Sequence, residues 1–165
     1  MTDVPGEAFP GIVPGLRGER RARVTAALAT THAGGAGVLM AIGMILEMEL
    51  AAQDSTQPFL PADHTTVGYE ICVRHRRPTR VGEWFTVTSE LREVDGRKLL
   101  FRVEARNARE VIGNGTLRRT IVRMGELASP LRSCLANPSP PTRARKGPRI
   151  ARGARGARPA APPPR

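Results

Sequence analysis

Between residues 67 and 123 the chain alternates apolar and polar positions in four runs: V-G-Y-E-I-C-V-R-H (67–75), W-F-T-V-T-S-E-L-R-E-V (84–94), K-L-L-F-R-V-E-A-R (98–106) and V-I-G-N-G-T-L-R-R-T-I-V-R (111–123). A period of two marks strands with one buried face. In the first run Val67, Tyr69, Ile71, Val73 and His75 share a face, while Gly68, Glu70, Cys72 and Arg74 share the other. That parity predicts His75 on the core-facing side. Asp95-Gly96 between the second and third runs is a hairpin signal of the type I′ kind, and Gly113-Asn114-Gly115 predicts a bulge in the last strand.

Upstream the period changes. Val38 to Gln53 carries Leu39, Met40, Ile42, Met44, Ile45, Leu46, Met48 and Leu50, a helix apolar nearly all round and so predicted to be buried. One helix followed by a meander of long strands is an α+β pattern, in which an antiparallel sheet wraps a central helix so that each covers the other. That arrangement is the hotdog architecture. Arg21 to Ala29 reads as a short first strand, Thr31 to Gly37 (T-H-A-G-G-A-G) as a flexible loop, and Gln57 to Thr65 as a loop with two prolines.

Composition divides the chain. From Asn137 onward there are eight basic residues and no acid, which leaves 18 basic against 15 acidic residues before it. The net charge of +11 therefore belongs mostly to the tail. The expected organisation is an irregular N-terminus over 1–15, a globular domain over 16–128 and a disordered basic Pro/Arg/Ala/Gly-rich tail over 129–165. Nucleic acid is a conceivable partner only through that tail, by phosphate contacts, and a solvated extension is the plainer reading. The longest apolar run, Val38 to Leu46, is nine residues, well short of the ~20 of a membrane span, and no secretory signal is evident. Two cysteines, Cys72 and Cys134, form no metal pattern. A reduced, cytoplasmic protein without metal is expected.

Two residues stand out chemically. A carboxylate on a buried helix must be neutralised, paired or functional, and Glu47 and Glu49 lie about 200° apart on the helix, on nearly opposite sides. Spacing alone does not choose between them. A histidine on the apolar face of the next strand could orient such a carboxylate or share its proton. Cys72 lies three residues from His75 and so faces the other way, which excludes a simple Cys-His dyad.

His32-Ala-Gly-Gly-Ala-Gly-Val-Leu, Met48-Glu49, Gln57-Pro-Phe-Leu-Pro, Val67 to His75 and Glu90-Leu-Arg-Glu-Val-Asp-Gly-Arg, in this order, resemble the thioesterases related to fluoroacetyl-CoA thioesterase over roughly residues 16–123. The resemblance implies the hotdog fold, a homodimer and hydrolysis of a small acyl-CoA thioester to free acid and coenzyme A, with no separate cofactor. It places the family's glutamate on Glu49, its histidine on His75, a backbone glycine near the thioester carbonyl on Gly68 and an arginine near the acyl pocket on Arg119. The family's helix-start threonine falls on Ala41, so its hydroxyl is absent, and the loop His32 to Gly37 lacks the aromatics of fluoroacetyl-specific members. A non-catalytic acyl-CoA-binding hotdog protein is the alternative that Ala41 motivates.

Overall fold

The computed structural model describes residues 9–32 and 34–125. Seven strands, β1 (Arg17–Arg23), β2 (Ala29–Thr30), β3 (Val38–Leu39), β4 (His64–His75), β5 (Trp84–Asp95), β6 (Lys98–Asn107) and β7 (Val111–Arg123), accompany one α-helix, α1 (Ala41–Thr56). Five strands form an antiparallel sheet in the order β1-β5-β6-β7-β4, and β2 pairs with β3 in a separate two-stranded ribbon. The sheet wraps the helix, as the pattern predicts. Met44, Met48, Ala51 and Ala52 of α1 are fully buried with Phe85, Val87, Leu91, Leu99, Phe101, Val103, Ala105, Ile112, Leu117 and Ile121 of the sheet. Each large apolar side chain so buried contributes about 1.5–3 kcal/mol.

Several boundaries differ from expectation. The helix begins at Ala41 rather than Val38, because long-range backbone bonds hold the preceding residues extended: β3 pairs with β2, Leu39 N donates to Thr79 O at 2.8 Å, and Met40 N to Leu28 O at 2.8 Å. It continues past Gln53 to Thr56, where the Ser55 and Thr56 hydroxyls both donate to the Ala52 carbonyl and the Gln57 N–H to the Gln53 carbonyl. The first strand is Arg17–Arg23, earlier than the expected 21–29, where Ala26–Leu28 instead form a 3₁₀ turn. In residues 9–16 Ile12 is buried at 4 % exposure, with Phe9 and Leu16 packed beside it. The basic tail and Cys134 lie outside the described residues.

Gly113, Asn114 and Gly115 pair in unbroken register with His75, Arg74 and Val73. The bulge of this strand falls one residue earlier than expected, on its β6 side, where Ala105 pairs with Gly113 and Arg106 with Val111, leaving Ile112 unmatched. Close approach explains the glycines. A Cβ on Gly115 would lie 2.0 Å from Cys72 O, and one on Gly113 would lie 2.5 Å from Met44 Cε. A bulge also occurs in β4, where Gly68 pairs with Arg119 and Glu70 with Arg118, leaving Tyr69 unmatched. It reverses the alternation. His64, Thr66 and Gly68 face the helix before it, and Ile71, Val73 and His75 after it.

The sheet's two edges contrast. β1 carries Arg17, Arg20, Arg21 and Arg23, the charge that protects an edge from pairing. β4 leaves Tyr69 and Ile71 about half exposed, and beside them the outward side of α1 leaves Ile42 at 69 % and Leu46 at 48 %. The helix is thus apolar all round yet covered by the chain on one side only.

Candidate active site

The two glutamates of α1 leave the helix in opposite directions, as their 200° separation requires. Glu47 turns toward β1, where Arg20 Nε donates to its Oε2 at 2.9 Å and Arg20 Nη1 to Asp54 Oδ2 at 2.7 Å. Those two carboxylates raise the Arg20 pKa. Glu49 turns toward β4 and β7, with its Oε2 paired to Arg119 Nη1.

Arg119 occupies a core position. It shares its face of β7 with Leu117 and Ile121, both buried, and its own side chain is 3 % exposed. Burial pushes the guanidinium down to about 10, far enough above neutrality that it remains a cation. Its Nε donates to Thr66 Oγ1 at 3.0 Å and its Nη2 to Thr66 O at 2.7 Å. A buried cation needs such partners. Sequence reasoning missed Thr66; the signal was an arginine at an apolar position of a strand.

Gly68 faces this pair. A Cβ there would stand 2.6 Å from Glu49 Oε1 and 2.8 Å from Oε2, so any side chain would displace the carboxylate. Glu49 Oε1 is buried and has no hydrogen-bond partner. One oxygen of the carboxylate is held and the other is open.

His75 lies elsewhere. Its face of β4 points to the core, as expected, and its Nε2 is buried with no hydrogen-bond partner. Seven residues of strand separate it from Gly68, about 20 Å of extended chain, beyond the reach of one imidazole. Within one chain, Glu49 and His75 are therefore not together. His75 sits instead at the end where α1 begins, opposite Gly113, against which Met44 packs. Ala41, the first helical residue, is one turn before Met44 and exposed, with no side chain capping the helix there. The candidate residues fall into two groups: Glu49, Gly68 and Arg119 at one end of β4, Ala41 and His75 at the other. Among the described residues, no cluster of His, Cys, Asp and Glu could hold a metal ion. Cys72 is a free, exposed thiol on the face opposite His75.

A family model described as fluoroacetyl-CoA-specific thioesterase matches residues 23–125. The fluoroacetyl-CoA thioesterase of Streptantibioticus cattleyicolor is 36 % identical over 89 residues, 54 % of this chain and 64 % of that relative, so the match spans a little under two thirds of the relative's length. A solved structure of the fluoroacetyl-CoA thioesterase superposes with a TM-score of 0.70 at 30 % identity, covering 74 % of this chain and 97 % of that one. A threonine-to-alanine mutant of that enzyme, in complex with fluoroacetate, superposes with a TM-score of 0.69 at 30 % identity over 74 % and 98 % of the two chains. A thioesterase superfamily member from Thermus thermophilus shares the hotdog fold, with a TM-score of 0.69 at 23 % identity over 77 % and 96 %.

Proposed function

The chain belongs to the fluoroacetyl-CoA-specific thioesterase family, and on that premise we propose that it hydrolyses the thioester of a small acyl-CoA. The observation that carries the reading is the Glu49 carboxylate, held through Oε2 by Arg119 and open at Oε1 beside a glycine. In this reading Oε1 takes a proton from water as the water oxygen bonds to the thioester carbon. The tetrahedral intermediate then expels coenzyme A as the thiolate, which gains a proton, leaving the free acid. His75 supplies or relays that proton, and backbone N–H groups near Gly68 support the oxyanion. No metal or additional cofactor enters.

The roughly 20 Å of strand between Gly68, which faces Glu49, and His75 argues for a homodimer that pairs β4 with β4 of the partner subunit. The arginine-poor edge of β4, its half-exposed Tyr69 and Ile71, and the bare Ile42 and Leu46 beside it support that surface over β1. Antiparallel pairing centred on Cys72, with Tyr69 bulged out of the ladder, sets Gly68 opposite His75 of the partner subunit. Each site would then join Glu49, Gly68 and Arg119 of one protomer to Ala41 and His75 of the other, and the apolar outer side of α1 would be covered. No helix among the described residues is long and apolar enough to cross a membrane. The exposed free thiol of Cys72 suits a reducing compartment, and we assign the protein to the cytoplasm.

The test is thiol release from a panel of acyl-CoA thioesters. Cleavage by the wild type that is lost in Glu49→Gln supports the hydrolase. Acyl-CoA binding without cleavage by the wild type would establish the binding-protein alternative that Ala41 motivates.

A further inference from the structure

We propose that Thr66 is a positioning residue for the Glu49 carboxylate, acting through Arg119 and not on the substrate; the inference rests on reading Glu49 as the acting group. Thr66 is 3 % exposed, two positions before Gly68 on the same face of β4 and across from Ile121. It receives two hydrogen bonds from one guanidinium, on its hydroxyl from Nε and on its carbonyl from Nη2. A guanidinium is planar and its N–H groups diverge at fixed angles. Fixing Nε and Nη2 therefore fixes the direction of Nη1, the nitrogen that holds Glu49 Oε2. That fixes where the cation meets Oε2, and Oε1 is left to the reaction.

The backbone carbonyl of residue 66 is present whatever its side chain, so the hydroxyl is the separable part. Valine matches threonine in shape and removes the acceptor, whereas serine keeps it. Of the charged groups near Glu49, Arg119 is the one that pairs with it among the described residues, and Glu47 points away toward Arg20.

The experiment compares full-length wild type, Thr66→Val and Thr66→Ser in two measurements: steady-state kinetics on an acyl-CoA that the wild type cleaves, and NMR titration of the Glu49 carboxyl in glutamate-labelled protein, assigned with Glu49→Gln. Thr66→Val should lower kcat about tenfold with KM within about twofold, the signature of a contact made to the transition state, and Thr66→Ser should stay within about threefold of wild type. The Glu49 titration midpoint should rise in Thr66→Val, because a loosened cation stabilises the carboxylate less, and stay in place in Thr66→Ser. Unchanged kcat in Thr66→Val overturns the proposal, as does an equal loss in Thr66→Ser. Should Thr66→Val not fold, Thr66→Ala removes the same acceptor and carries the same expectations. If the wild type cleaves no acyl-CoA, the hydrolase reading fails on its own. The titration still decides the role of Thr66, supporting it if the midpoint moves in the valine variant alone and overturning it otherwise.

Discussion

Glu47 and Glu49 stand two residues apart on one helix, and each meets an arginine of the sheet, yet the two pairs are built for different work. Arg20 is 35 % exposed and divides itself between Glu47 and Asp54, so one strand residue ties down two points of the helix about two turns apart. That is a tether. Arg119 is 3 % exposed, is itself held by Thr66, and pairs with only one oxygen of Glu49, while the missing side chain of Gly68 lets that carboxylate lie against the strand. Partly solvated pairs contribute little and tolerate movement; a buried pair with an unsatisfied oxygen is costly and persists where the arrangement has a use.

Neutralising each glutamate in turn should separate the two pairs most widely. Glu49→Gln should lower kcat by about 10²–10⁴, the range for loss of a general base, with the thermal midpoint little changed. Glu47→Gln should do the reverse, keeping turnover while losing about 1 kcal/mol of stability. Equal kinetic losses in the two variants would erase the distinction.

Gly68→Val follows in size. Its Cβ would meet both oxygens of Glu49 and none of Glu47, so kcat should fall about 10²-fold through a displaced carboxylate. Circular dichroism and the thermal midpoint show whether the fold survives. A folded Gly68→Val with wild-type kinetics would mean that the carboxylate does not need its present position.

Ala41→Thr probes the other end of the helix. Ala41 is exposed, so a hydroxyl fits without disturbing the core, and a donor placed near a developing oxyanion is worth up to about 10²–10³ where geometry is ideal. A rise in kcat of about tenfold in Ala41→Thr is expected, read by thiol release. No change would separate that helix start from the site.

Mixing subunits tests whether the two ends of β4 meet across an interface. Glu49→Gln and His75→Ala should each be inactive alone. Random reassortment should give half heterodimers with one intact site of two, and so about a quarter of wild-type activity. Recovery of none would place both residues in one protomer's site.

The strands were legible because their alternation is strong and local, and Asp95-Gly96 turns the β5–β6 hairpin with Gly96 at φ +55°. The first three residues of the expected helix were misread because their extended form is fixed by Leu28 and Thr79, partners remote in sequence. The opposite directions of Glu47 and Glu49 followed from helix geometry and the resemblance pointed to Glu49, but its ion pair with Arg119 joins two elements that no local pattern connects. Gly68 was put on the wrong face because Gly-Tyr-Glu reads as ordinary alternation, and a bulge leaves no mark in such a pattern. Thr66 was invisible since threonine is an unremarkable strand residue. Its only trace was Arg119 between Leu117 and Ile121.

The unmatched Tyr69 makes β4 a strand whose length cannot be edited. Removing that one residue would restore strict alternation, and whichever half kept its register would turn the other half inside out. Either Thr66 and Gly68 would face solvent, or Ile71, Val73 and His75 would. Substitution at position 69 leaves the count intact, so its side chain is open to change while its presence is not. Drift in this strand can therefore proceed by replacement and not by insertion or deletion, and a library designed on β4 should vary identities and hold the spacing of twelve residues.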